Sequence, residues 1–136
     1  VILVDTNVLV DIWTNDPVWG AWSRSALANA VDRDQVCVNP IIYSELCVGV
    51  TSEESLRDSL HDAGIEVVPV PVDAACPAAR AFMQYRERGG PRTSTLPDFF
   101  IGAHAQAEGF TLLTRDATRF RAYFPHVRLI APSASD

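Results

Sequence analysis

The chain opens on four consecutive apolar residues, Val1, Ile2, Leu3 and Val4, and closes that run with Asp5. A short, β-branched, uninterrupted apolar run predicts a strand buried on both faces. Similar runs return at residues 35–38, 65–70, 110–114 and 127–130. Between them the apolar positions recur at helical spacing. Residues 6–13 predict a short helix, and Asn15-Asp16-Pro17 caps a second one reaching about Val31. Asn39-Pro40 repeats the cap-then-proline signal and opens the helix carrying Glu45. Thr51-Ser52-Glu53-Glu54 fits a capping box for a helix that ends at Gly64. Asp73 opens a further helix to about Arg88, residues 89–95 read as a loop, and residues 97–108 form a helix stopped by Gly109. Residues 117–123 predict a short helical turn.

Strands alternating with helices predict an α/β fold: a central parallel sheet of about five strands between two helical layers. Residues 1–131 are expected to form a single domain, with 132–136 as a short tail. Ligands of such sheets bind beyond the carboxyl ends of the strands.

Four acids stand out against this pattern. Asp5 closes the first apolar run, and Asp116 follows the run at 110–114 after Arg115. Glu45 has Ile41, Ile42, Val48 and Gly49 as its helical neighbours, and Asp98 has Ile101 and Gly102. A carboxylate turned toward apolar surface is costly to ionise without a partner. The topology places Asp5, Asp98 and Asp116 at or near one sheet edge, with Glu45 facing it. Four ionised carboxylates in one place repel, and a divalent cation resolves the conflict. All-oxygen ligation without nearby His or Cys favours Mg²⁺ or Mn²⁺ over zinc. Such an ion suits phosphodiester cleavage by a metal-activated water.

Composition narrows the alternatives. The basic residues are eleven Arg with no Lys, which excludes Schiff-base lysine chemistry, a Walker lysine and a phosphate-gripping lysine. A net charge of −6 argues against a generic nucleic-acid binder, although Arg cluster at 80–92 and 115–128. Arg92 and Arg115 are the candidates for touching RNA phosphates. Cys37, Cys47 and Cys76 lack metal-type spacing and read as reduced packing residues; His61, His104 and His126 read as surface or boundary residues. Asp11, with the polar helical neighbours Asn7, Thr14 and Asn15, reads as solvated or capping. Trp13, Trp19 and Trp22 read as packing residues before base-stacking ones. No run approaches a membrane span, and no signal-peptide pattern is seen, so a cytoplasmic protein is expected.

The segments bearing the acids resemble the PIN-domain family, and within it the small bacterial VapC-like toxins. Three motifs carry the resemblance: Val4-Asp5-Thr6-Asn7-Val8-Leu9-Val10-Asp11; Ser44-Glu45-Leu46; and Pro97-Asp98-Phe99-Phe100-Ile101-Gly102-Ala103-His104-Ala105 followed by Leu113-Thr114-Arg115-Asp116-Ala117-Thr118-Arg119-Phe120. The resemblance implies a PIN-like three-layer fold and a metal-dependent endoribonuclease, the toxin of a toxin-antitoxin pair. It implies Asp5, Glu45, Asp98 and Asp116 as the catalytic acids. Asp5, Asp98 and Asp116 would hold Mg²⁺ or Mn²⁺, and Glu45 would ligate a second ion or orient the attacking water. Thr114 and Asn7 would support the carboxylates. An RNA substrate, a cognate antitoxin protein and a homodimer are implied as partners. Gly102 stands where the family often has Ala, a departure expected to affect packing rather than chemistry.

Two other functions compete. Asp5 could be the covalent nucleophile of a phosphatase or phosphotransfer protein, but no second Asp stands at position 7 and no Lys is available to hold the phosphoryl group. Alternatively the acidic pocket binds a partner's basic peptide without catalysis.

Overall fold

A computed structural model describes residues 1–91 and 96–133. Arg92, and with it most of the loop expected at 89–95, lies outside the described residues. The elements run β1 (Ile2–Val4), α1 (Thr6–Trp13), α2 (Gly20–Arg33), β2 (Val36–Val38), α3 (Pro40–Val48), α4 (Glu53–Asp62), β3 (Ile65–Val67), a 3₁₀ turn (Val72–Ala74), α5 (Ala75–Glu87), α6 (Leu96–Glu108), β4 (Thr111–Leu113), α7 (Thr118–Tyr123) and β5 (Leu129–Ile130).

All five strands are parallel, in the order β3-β2-β1-β4-β5. Every strand of the apolar pattern is present, each one to three residues shorter than its run. β1 and β2 are buried along their length, whereas the edge strands β3 and β5 are partly exposed. The chain builds outward from β1 in both directions, so the order reverses between β1 and β4. In an open parallel sheet the crevice outside the carboxyl ends at that reversal is where ligands bind.

Most helix starts follow the sequence signals. Asn39 caps α3 by accepting from the Ile42 amide (2.9 Å), with Pro40 in the first turn. Two starts differ. Asp16 accepts from the amides of Val18 (2.9 Å) and Trp19 (2.7 Å), so it caps a turn, and α2 begins only at Gly20. The cap of α4 is Ser52 rather than Thr51, and the residue three further on is Ser55, which has no carboxylate to complete a capping box.

The core gathers β1, β2 and β4 with Val8, Leu9, Ile42, Leu46, Leu56, Leu60, Phe99 and Ile101. Phe99 sits at its aromatic centre, against Phe82, Tyr85, Tyr123 and Phe124. Gly102 has a specific reason: a Cβ there would come within 2.3 Å of the Phe124 ring. The buried Phe124 occupies the space that an alanine methyl would need.

Three expectations are corrected. His104 is not at a boundary but is 1% exposed, its Nδ1 3.0 Å from Asn39 Nδ2. Burial lowers its pKa, so the ring is neutral and Nδ1 accepts from the amide. Cys76 is exposed rather than packed, although Cys37 is buried and its thiol is pushed up to about 11 by that burial. Asp11 is buried, in a role described below.

Candidate active site

Asp5 N–H donates to the Leu113 carbonyl (2.8 Å), extending the β1–β4 ladder by one bond, so Asp5 sits at the carboxyl end of β1. The chain turns there into α1, and Asp5 Oδ1 caps that helix by accepting from the Thr6 amide (2.8 Å). Its other oxygen, Oδ2, accepts from Thr114 Oγ1 (2.8 Å) and Asn7 Nδ2 (3.3 Å). Capping and site chemistry are therefore two jobs of one carboxylate.

Thr114 follows β4 directly. Its hydroxyl also receives the Asp116 amide (3.1 Å), a tight turn that brings Asp116 back over the strand ends. Asn7 ties the two loops together: its Nδ2 lies 3.4 Å from Thr114 Oγ1, and its Oδ1 accepts from the Arg115 amide (3.3 Å). Glu45 reaches the crevice from α3 and accepts from Thr6 Oγ1 (2.7 Å). Asp98, in the first turn of α6, is paired with Arg119 of α7.

The four acids thus line one cavity of about 320 Å³, together with Thr6, Asn7, Val10, Arg115, Arg119 and Phe120. They are not equivalent. Asp5 is 6% exposed, Asp98 and Glu45 are half-buried, and Asp116 is exposed. Burial pushes the Asp5 pKa up to about 7; the Thr114 and Thr6 hydrogen bonds oppose the rise, and the charges of Asp98 and Glu45 add to it. Asp98 is also raised, mainly by desolvation and against the pull of Arg119, with Glu45 and Asp116 adding. Like charges crowd here beyond what two arginines neutralise.

That crowding and the donor set fit a hard divalent cation: the lining offers carboxylate, hydroxyl and amide oxygens and neither His nor Cys. Among the described residues, however, no three acids, His or Cys are disposed as a ready ligand set. Asp98 leans on Arg119 and Glu45 on Thr6. Mg²⁺ needs no such cage, because it keeps several waters and takes one or two carboxylates. Asp5 feels the charge of Asp98 more than that of Glu45, and Asp98 in turn feels Glu45 and Asp116.

Two residues escaped the sequence reading. Arg119 lies within the noted cluster at 115–128, but only the fold shows that it reaches Asp98 while its guanidinium sits over the Tyr85 ring (5.2 Å). The polar helical neighbours of Asp11 predict a solvated side chain, and the structure buries it. It is 2% exposed, accepting from Arg115 Nε (2.7 Å) and Ser23 Oγ (2.8 Å). The usable signal was its position one helical turn after Asn7, on the face that meets the loop after β4.

The family described as PIN domain matches residues 2–124. No curated protein sequence matches the chain. Several solved structures share its fold. VapBC2 from Rickettsia felis, bound to a DNA fragment from its promoter, aligns with a TM-score of 0.72 at 18% identity, over 97% of this chain and 98% of that one. VapBC-1 from nontypeable Haemophilus influenzae gives 0.71 at 19% identity, over 96% of each chain. VapC20 from Mycobacterium tuberculosis, a toxin that cleaves the sarcin-ricin loop, gives 0.63 at 16% identity, over 94% of this chain and 99% of that one.

Proposed function

The chain belongs to the PIN domain family, and from that premise we propose that it is a metal-dependent endoribonuclease, the toxin of a toxin-antitoxin pair. The observation that carries the reading is the shared cavity of Asp5, Glu45, Asp98 and Asp116 at the reversal between β1 and β4. Mg²⁺ or Mn²⁺, when bound, supplies an activated water nucleophile and offsets the charge of the phosphodiester.

The protein's own residues do the rest. Asp5, Asp98 and Asp116 would hold the cation, with Asp5 fixed in orientation by Thr6, Asn7 and Thr114. Glu45, oriented by the Thr6 hydroxyl, would accept a proton from the attacking water or ligate a second ion. Arg115 grips a substrate phosphate at the rim, and Arg92 is assigned the same task from its place in sequence. Structured RNA is the substrate class to test first, given that the similarly folded VapC20 cleaves the sarcin-ricin loop.

The partner is a cognate antitoxin, in keeping with the VapBC complexes that share the fold. Val10 and Trp13 are exposed on a groove shared with Glu45, Leu46, Val50 and Leu56, which suits an apolar antitoxin segment beside the site. A homodimer, a single domain over residues 1–131 and a cytoplasmic location complete the proposal. No helix among the described residues is long and apolar enough to cross a membrane.

An aspartyl-phosphate mechanism is disfavoured. Both Asp5 oxygens already accept hydrogen bonds, and its raised pKa weakens the nucleophilic form. The test is incubation of pure protein with structured RNAs and Mn²⁺. Wild type should cleave and Asp5→Asn should be slower by roughly 10²–10³-fold or more; equal rates would end the proposal.

A further inference from the structure

Asn7 and Asp11 are four residues apart on α1 and hold the same residue of the loop after β4. Asn7 Oδ1 takes the Arg115 backbone amide, and Asp11 Oδ2 takes the Arg115 side chain through Nε (2.7 Å). Ser23 of α2, fully buried, donates to that same Asp11 oxygen (2.8 Å). The Trp19 ring lies 6.0 Å from the guanidinium carbon. The backbone and the Nε edge of one arginine are thereby fixed by α1, itself braced by Ser23 of α2.

This arrangement has a consequence for charge. A free arginine beside four carboxylates collapses onto the nearest one, as Arg119 does on Asp98. Arg115 adjoins Asp116 in sequence and lines the same cavity, yet among the described residues its ion pair is with Asp11. Asp11 is 2% exposed and the Arg115 side chain 32%. The Nε edge is used, and the two terminal amino groups make no hydrogen bond among the described residues, although the Arg115 charge also acts on Asp16. Those groups form the planar fork that matches two phosphate oxygens. A buried ion pair is a weak source of stability compared with apolar packing, so orientation is what this one contributes.

We propose that Asp11, with Ser23 behind it, is a positioning residue that holds Arg115 off the acidic cluster and presents its free fork to a phosphate of the RNA strand. This rests on the ribonuclease reading above.

The experiment compares wild type, Asp11→Asn, Arg115→Gln, Arg115→Lys and the double variant Asp11→Asn/Arg115→Gln in RNA cleavage with Mn²⁺. Binding of a single-stranded RNA hexamer in Ca²⁺ is measured over a range of salt. Each single variant should raise KM and hexamer Kd roughly tenfold or more; Mn²⁺ affinity should hold in the Arg115 variants and fall in Asp11→Asn, where the released guanidinium competes for the carboxylates of the same cavity. Lysine should not restore binding, because it keeps the charge and loses the fork. The double variant should be no worse than either single one, and the salt slope should fall by about 0.7. Folded variants with unchanged Kd, or losses that multiply in the double variant, overturn the proposal. Should the variants unfold, the Arg115 Nε–H resonance of wild type decides: it should shift on adding the hexamer, and an unmoved resonance overturns the proposal. Wild type that neither binds nor cleaves RNA removes the ribonuclease reading together with this one, whereas normal wild-type binding with indifferent variants removes this one alone.

Discussion

The Thr114 hydroxyl donates to Asp5 Oδ2 at 2.8 Å across 109 residues of sequence. β1 and β4 pair in register from Ile2 with Thr111 to Val4 with Leu113, so the next residue on each strand, Asp5 and Thr114, necessarily emerges side by side. That bond lowers a pKa which burial has raised. Thr114→Val keeps the shape and removes the donor, so Asp5 should hold its proton more tightly still. Mn²⁺ affinity at pH 7 should fall roughly tenfold, about one pKa unit, and the deficit should shrink at pH 8.5. Calorimetric titration at both values checks this; an equal deficit at the two would refute it.

Asp5 also sets the pH dependence of the metal-free protein. Its folded pKa of about 7 exceeds the ordinary 3.8, so the folded state binds more protons between those values. Its contribution to stability is therefore full below about pH 4 and lost as pH rises through about 7. In EDTA the melting temperature should fall over that window in wild type, and the fall should be reduced in Asp5→Asn. His104 acts in the opposite sense: its lowered pKa disfavours the fold as pH drops through about 6.5. Asp5→Asn should expose that weaker trend.

Gly102 and Phe124 give a packing prediction. A methyl at 102 would stand 2.3 Å from a ring that is 2% exposed and cannot swing clear. Gly102→Ala gains about 1 kcal/mol of helix propensity but should cost about 1–3 kcal/mol in overpacking. A net loss is expected in denaturant unfolding, relieved in Gly102→Ala/Phe124→Leu.

Asn39 offers another. It caps α3, the helix of Glu45, while its amide group satisfies the buried His104. Asn39→Ala removes a cap worth about 1 kcal/mol and strands a buried acceptor at about 1–3 kcal/mol. Unfolding should show a loss near the sum, and His104→Phe should soften the effect of Asn39→Ala.

The sequence made the sheet legible because β1, β2 and β4 are buried on both faces and so read as continuous apolar runs. Strand ends were less legible: in β3 the pattern ran on through Val68 and Val70, but Pro69 and Pro71 have no amide to pair. The convergence of the four acids followed from topology, since Asp5 and Asp116 had to flank the carboxyl ends of paired strands. Their hydrogen-bond partners were partly legible, as with Thr114. Asp11 was not, because helical neighbours describe only its own helix, and what buries it is Ser23 of α2 and Arg115 beyond β4. His104 escaped for the same reason: its partner Asn39 lies 65 residues away.

The most direct measurement is an electron paramagnetic resonance titration of metal-free protein with Mn²⁺, which counts the ions removed from solution. Wild type should bind saturably, while Asp5→Asn and Asp98→Asn, folded by circular dichroism, should lose most of that affinity. Wild type that leaves the Mn²⁺ signal untouched, or variants that bind as wild type does, would contradict the claim that these carboxylates form a metal centre.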